Sequence, residues 1–214
     1  MTAVVGKTTK GRQALRMLAG AAVGAVATIA FLEAVGKPSL KSGDFGTLLA
    51  LSAGLIYALM GLFVGLGAMA PRQGARFLNV EDAEEIHEQR PSLGSSAIAC
   101  ILIGAFLLLL ALAPAGQDAD RGVWAGAAGA CLLGAAAITL ATRRRGDELM
   151  RQVGLEASSL TLHVTLAVLS VWALLAQLRF VEWLTPLGLI SGLSLLYLAA
   201  IFWVTARKGM MKAR

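Results

Sequence analysis

Six long runs of apolar residues, separated by short polar segments, dominate the hydrophobic pattern of this chain. The runs cover residues 17–35, 47–70, 95–113, 123–142, 157–178 and 186–206. A helix needs about 20 apolar residues to cross the hydrocarbon core of a bilayer. The pattern therefore predicts an all-α bundle of six transmembrane helices, preceded by a basic arm at 1–16 and followed by a basic tail at 207–214.

The first apolar run also has the basic flank of a secretory signal peptide. Its apolar region exceeds the usual length of about 7–15 residues, and no clear A-x-A cleavage site follows it. We therefore interpret residues 17–35 as a retained membrane anchor, with cleavage as the alternative.

Small residues recur along single faces of several spans. In a bilayer, small side chains let helix backbones approach closely and gain dispersion contacts. The stripe in the second span lies within about 80° on a helical wheel, and we expect it to face another helix. The predicted packing residues are Gly54, Ala58, Gly61 and Gly65 in the second span, and Gly122, Gly126 and Gly134 in the fourth.

The polar segments that enter the third and fifth spans resemble each other. Residues 84–96 and 147–159 share an acidic pair, an aliphatic residue, a glutamine and a double serine at matching positions. The echo predicts a parallel repeat of two hairpins, made by the second and third spans and by the fourth and fifth. Convergent composition next to the membrane is the alternative. We call residues 84–96 and 147–159 the two motif copies.

Composition and charge fix the class of protein and its orientation. The chain is 57% hydrophobic and only 15% charged, whereas soluble domains carry about 25% charged residues. With the N-terminus inside, the inner segments hold 15 of the 19 Lys and Arg residues, which predicts that both termini are cytoplasmic. Topology and anionic lipid then explain the basic balance. No basic stretch is interleaved with aromatic residues, so nucleic acid is not an expected partner.

The loop between the second and third spans is acidic. Asn79 is a candidate N-cap, and we predict a short surface helix over 80–90 that stops before Pro91. This helix either docks against basic residues of the chain or presents a solvated charged face. The candidate cytoplasmic contact residues are Glu84, Glu85, Glu88, Arg143, Arg144, Arg145, Asp147, Glu148 and Arg151.

One face of the fifth span is polar. Ser159, His163, Ser170 and Gln177 lie within about 40° of one another on a helical wheel. Polar groups in hydrocarbon need partners, so we expect this face to point into the bundle. It is a candidate polar path with His163 as its titratable member. The structural alternative is a set of hydrogen bonds between helices.

The remaining polar groups within the spans favour structural roles. Glu33 is spaced to pair with Lys37, and the hydroxyls of Tyr57 and Tyr197 need acceptors from neighbouring helices. Cys100 and Cys131 are expected to pack as small apolar side chains.

The sequence offers little support for metal or catalytic chemistry. Glu84 and His87 have E-x-x-H metal-site spacing, but such sites need two copies, and the second motif copy has Met150 in place of the histidine. No phosphate loop, nucleophile elbow or dinucleotide fingerprint is present. We expect no metal, no cofactor and no enzymatic activity.

The run R-G-D-E-L-M-R-Q-V-G-L-E-A at 145–157 enters an apolar span. Its residues Asp147, Glu148, Arg151, Val153 and Ala157 match the pattern D-E-x-x-R-x-[IV]-x-x-x-A. This resembles a juxtamembrane pattern of uncharacterised small bacterial polytopic membrane proteins, and the resemblance covers about 13 of the 214 residues. It implies a multi-pass protein of the bacterial inner membrane and transfers no activity.

These observations favour a non-enzymatic scaffold or accessory subunit of a membrane complex, which acts through its charged cytoplasmic corners. The expected partners are the lipid bilayer and either other membrane-protein subunits or further copies of the chain. The alternative is a transporter of small solutes or ions with a polar path along the fifth helix.

Overall fold

The computed structural model describes residues 24, 29–30, 33, 45–70, 83–113, 121–143 and 148–209, with the backbone alone at 83–88, 121 and 143. The chain divides into two compact units, Met1–Gly43 and Asp44–Arg214. In the first unit, the four described residues are helical.

Five helices make up the described part of the second unit. They are α1 (Phe45–Met69), α2 (Ala83–Leu112), α3 (Arg121–Arg143), α4 (Glu148–Gln177) and α5 (Pro186–Arg207). The described ranges contain no strand, and each helix is long and apolar enough to cross a membrane. This confirms the all-α class. The first predicted span falls almost entirely outside the described residues, so the count of six and the location of the termini stay predictions.

Two helices begin earlier than their apolar runs. α2 and α4 each contain 30 residues, and at 1.5 Å per residue each is roughly 45 Å long. The predicted helix stop before Pro91 is wrong, because Pro91 lies inside α2. Pro91 is exposed and precedes the most apolar part of the helix, where water can satisfy the carbonyl left free by the missing N–H. Residues 84–96 and 148–159 of the motif copies therefore lie in the first turns of helices that are longer than a hydrocarbon core of about 30 Å.

The contacts between helices define their directions. A Cβ placed on Gly61 of α1 would lie 2.6 Å from the Ala97 carbonyl oxygen, and one placed on Gly54 would lie 2.8 Å from Leu108 Cγ, so α1 and α2 are antiparallel. Val153 and Ala157 of α4 cluster with residues near the end of α5, so these helices are antiparallel as well.

Helices α1 and α5 run in the same direction, because Gly46 and Leu49 near the start of α1 meet Gly188 and Gly192 near the start of α5. Consequently α2 and α4 begin at the same end of the bundle at which α1 and α5 end. We call this the motif end, and the opposite one the far end.

Helix α1 is central in the packing order. It packs against α2 and α5, while α3 packs on α2 and α4 packs on α5. Only four residues, 144–147, separate α3 from α4 in the sequence, yet the two helices pack on different neighbours. The predicted repeat of hairpins is therefore not seen as a repeat of packing, since α1 and α2 form a packed pair and α3 and α4 do not.

The core lies where α1, α2 and α5 meet. Ala53, Tyr57, Leu107 and Leu198 form its buried cluster, and Cys100 packs against it. The Tyr57 hydroxyl donates a hydrogen bond to the Ser194 carbonyl over 2.7 Å, so this hydroxyl finds its acceptor on a neighbouring helix. Both cysteines are free thiols.

Glycine allows the close crossing of α1 and α2. A Cβ on Gly61 would lie 2.9 Å from the Ile101 backbone nitrogen, and one on Gly104 would lie 2.7 Å from both the Ala58 nitrogen and the Gly54 oxygen. A Cβ on Gly65 would lie 3.5 Å from the Cβ of Ala97, which is an ordinary van der Waals contact. The stripe predicted in α1 therefore faces α2.

The small residues of α3 behave differently. A Cβ on Gly134 would lie 3.2 Å from Leu102 of α2, but Gly122 is exposed and Gly126 has nothing within 4 Å. Helix α3 buries Ala128 and Ala135 instead. A row spaced by four residues turns about 40° per step on a helix. Gly122, Gly126 and Gly134 therefore spread over about 120° of the helix surface, and the packing contact predicted for Gly126 is absent among the described helices.

The connection from α4 to α5 is locally specified. The φ angle of Arg179 is 59°, and the Phe180 N–H donates to the Leu175 carbonyl over 3.0 Å, which closes the end of α4. Thr185 then caps α5, since its hydroxyl accepts from the Gly188 N–H over 3.1 Å. Pro186 at the first helical position has no N–H to leave unpaired.

Candidate functional site

Most of the polar residues singled out in the sequence lie on the surface of α4. The position of α4 is set by its contact with α5. Val153 and Ala157 of α4 are buried against Ala200 and Val204 of α5, near the motif end. Alanine on both helices permits a close approach, as in other membrane helix contacts. This patch fixes which face of α4 is turned toward the rest of the bundle.

An ion pair lies beside this patch. Lys208 Nζ is 2.8 Å from Glu156 Oε1, with 22% of the lysine and 53% of the glutamate side chain exposed. Within α4, Arg151 lies 3.8 Å from Glu148, and both side chains are mostly exposed. Glu148 and Arg151 are among the predicted contact residues, whereas Glu156 and Lys208 are not. The sequence shows that Glu156 precedes one apolar span and that Lys208 follows another. It does not show that the two form a pair, because that depends on the packing of α4 on α5.

We expect the Glu156–Lys208 pair to contribute modestly to the stability of the α4–α5 contact. Lys208→Glu should lower the free energy of unfolding by no more than about 1 kcal/mol, because the pair is partly exposed to solvent. Adding Glu156→Lys should restore most of the loss, as measured by denaturation in detergent micelles. Glu148→Lys is the exposed control with a smaller expected effect. A double variant no more stable than Lys208→Glu would contradict the pairing.

Toward the far end, the α5-facing side of α4 opens into an apolar groove. Its volume is about 320 Å³, and Ala167, Val168, Val171, Trp172 and Leu175 line it. The Trp172 indole N–H donates to the Glu182 carbonyl over 3.1 Å, which ties the connection to α5 onto this side. The groove can accept apolar groups, whereas its lining offers no polar side chain to orient a polar ligand.

Four exposed residues, Ser159, His163, Ser170 and Gln177, form the polar stripe of α4. At 100° per residue, they lie between about 80° and 160° around the helix from Val153 and Ala157. The expectation that this face points into the bundle is therefore not met among the described helices. The small residue Ala157 gives α5 a closer and better-packed contact than the stripe could give, so the stripe faces outward.

The hydrogen bond of His163 restricts the chemistry of the polar stripe. His163 Nδ1 is 2.7 Å from the Ser159 carbonyl oxygen. A carbonyl only accepts, so Nδ1 carries the proton, and in the neutral imidazole Nε2 is then an acceptor. The hydroxyls of Ser158 and Thr161 are satisfied by carbonyls of their own helix. The Ser170 and Gln177 side chains have no hydrogen-bond partner among the described residues.

The predicted cytoplasmic contact residues gather at the motif end as far as they are described. Glu84, Glu85 and Glu88 are in the first turns of α2, and Arg143 is the last residue of α3, although the side chains of these four are not described. Arg144, Arg145 and Asp147 lie outside the described residues. The E-x-x-H hypothesis at His87 also depends on undescribed side chains. The residues with described side chains contain no group of three or more His, Cys, Asp and Glu that could hold a metal.

The architecture indicates a class of protein rather than a family. Five described helices that can each cross a membrane indicate a multi-pass helical membrane protein. No family model matches the chain, and neither the curated proteins nor the solved structures give a match.

Proposed function

We propose that this chain is a non-enzymatic scaffold or accessory subunit of a membrane complex, set in a bacterial inner membrane with both termini in the cytoplasm. The observation that supports it best is the position of α4. Among the described helices, α5 is the only one with which α4 makes extensive contacts. The polar stripe of α4 faces outward. Polar side chains facing lipid lack hydrogen-bond partners, and a second subunit would supply them.

The motif end offers a second surface for assembly. Both 30-residue helices start there and extend past the hydrocarbon core, so their first turns are accessible to a partner outside the lipid. Glu148 and Arg151 are more than half exposed at this end. In the predicted topology, this end is cytoplasmic because the inner segments hold 15 of the 19 Lys and Arg residues.

Transport of a small solute or ion is the second candidate function. Its support is the length of the polar stripe, which runs from residue 159 to residue 177, or about 27 Å at 1.5 Å per residue. That nearly spans a hydrocarbon core of about 30 Å. Because the polar stripe lies on an outer face, a path along it would require a facing subunit.

We expect the double substitution Asp147→Ala and Glu148→Ala to reduce the amount of complex. These substitutions remove two neighbouring acids of the second motif copy, of which Glu148 is the first residue of α4. The measurement is a mild-detergent pull-down of the tagged chain from its native membrane, with mass spectrometry and native gels. Wild type should bring down a partner in stoichiometric amount, and the variant should bring down several times less.

A matched control makes the same change of charge elsewhere. Asp118→Ala with Asp120→Ala removes two acids from a loop on the opposite side in the predicted topology, and should leave the complex unchanged. A wild-type chain that purifies with no other subunit and no second copy would overturn the proposal. Flux through the purified protein that His163→Ala abolishes would favour transport instead.

A further inference from the structure

The groups on the exposed face of α4 can hydrogen-bond to an identical set. Serine hydroxyls and the Gln177 amide each donate and accept, and His163 presents an acceptor at Nε2 once Nδ1 is bound to the Ser159 carbonyl. The Ser159 hydroxyl lies one turn away and is a donor of the kind that Nε2 needs. A surface with this balance of donors and acceptors is complementary to itself.

Glu148 and Arg151, at the motif end of α4, are likewise complementary to an identical pair of charges. Glu148 lies about 20° and Arg151 about 80° from Ser159 on a helical wheel, and the two oppositely charged side chains are 3.8 Å apart. Gln152, exposed, extends the polar stripe toward these charges. In a two-fold contact, residue i of one copy meets residue j of the other and the reverse also holds. Glu148 and Arg151 could therefore pair reciprocally, as could Ser159 and His163.

The first span of the chain itself is a poorer complement. Its first eight residues, 17–24, consist of Met, Leu, Ala, Gly and Val, which supply no hydrogen-bonding side chain. A second copy of α4 supplies both a donor and an acceptor at the required depth.

We infer that a second copy of this chain covers the polar stripe, in a two-fold dimer in which α4 packs against α4 with reciprocal contacts between Ser159 and His163. The inference rests on the proposed role in a membrane assembly and names the first partner in it. A dimer of this form also brings two polar stripes face to face along most of the membrane.

Disulfide cross-linking in native membranes tests this arrangement. The full-length chain carries two cysteines, Cys100 and Cys131, and both are first replaced by alanine. Ser170→Cys then places a thiol on the polar stripe. Val168→Cys is the matched control, 54% exposed and about 3 Å away in depth but about 160° away around the helix.

Oxidation should give roughly tenfold more disulfide-linked dimer for Ser170→Cys than for Val168→Cys, because a disulfide requires Cα atoms within about 7 Å. His163→Leu in the Ser170→Cys chain should lower that yield severalfold. Thermal denaturation in detergent checks that each variant is folded. If Ser170→Cys itself unfolds, Ser159→Cys on the same face replaces it.

Three other results would contradict the inference. Equal or greater dimer yield from Val168→Cys overturns the α4–α4 contact. Cross-linking of Ser170→Cys to a different protein overturns the second copy as partner but leaves the proposed assembly role standing. If neither cross-linking nor the pull-down finds any partner, the inference and the proposed function both fail.

Discussion

Gly61→Ala is expected to lower the free energy of unfolding by about 1–3 kcal/mol, the usual cost of overpacking a tight interior. The added methyl would lie 2.6 Å from the Ala97 carbonyl oxygen and 2.9 Å from the Ile101 nitrogen. Both are backbone atoms, so no side chain can rotate away to relieve the clash. Helices α1 and α2 must instead move apart, which weakens dispersion contacts along the whole crossing. Denaturation in detergent micelles measures the loss.

Gly126→Ala is the matched control for Gly61→Ala. The substitution is identical and the site is also within a long helix, but a Cβ on Gly126 meets nothing within 4 Å. Alanine favours helix more than glycine does by about 0.5–1 kcal/mol, so this variant should be as stable as wild type or slightly more stable. Equal destabilisation by both substitutions would mean that the close crossing of α1 and α2 does not stabilise the protein.

Ala157→Leu is expected to detach α4 from α5. Ala157 is completely buried in the patch that holds α4 to its one extensively contacting neighbour among the described helices. A larger side chain there must push the two helices apart, at a cost of about 1–3 kcal/mol. Hydrogen exchange by mass spectrometry in detergent should show faster exchange in α4 and little change in α1 and α2.

Ala167→Leu serves as the control on the same helix. Ala167 lines the open groove and is exposed, so a leucine fits without displacing a neighbour, and the change in stability should stay within about 0.5 kcal/mol. Similar exchange rates in α4 for Ala157→Leu and Ala167→Leu would contradict the assignment of the Val153–Ala157 patch as the contact that holds α4.

The helices themselves could be predicted closely from the sequence. The runs at 47–70, 123–142 and 186–206 correspond to α1, α3 and α5, with ends that differ by at most two residues. Helices α2 and α4 begin before the predicted spans at 95–113 and 157–178, because those spans followed the edge of the apolar run. Helical hydrogen bonds continue through polar residues, and at an exposed position even through Pro91.

The orientation of each helix could be predicted only in part. The small-residue stripe of α1 faces α2 because glycines on both helices, Gly61 and Gly104 among them, permit contact between backbones. Gly126 looked equivalent in sequence, but a Cβ there would meet nothing within 4 Å. The polar stripe of α4 was expected to face the other helices. Instead Ala157 faces α5, because its small side chain permits a closer approach.

The sequence alone determined that the described part of the chain is helical and, to within two residues, where each described helix ends, since a backbone in lipid must satisfy its hydrogen bonds within its own helix. This requirement involves only residues of one helix, so a run of apolar residues is enough to predict the helix. Only the tertiary structure decided which helices touch, which faces meet, and that Glu156 pairs with Lys208. In lipid, an apolar face gains no more from burial against protein than against acyl chains. The choice of neighbour therefore depends on how closely two surfaces fit, which neither helix encodes by itself.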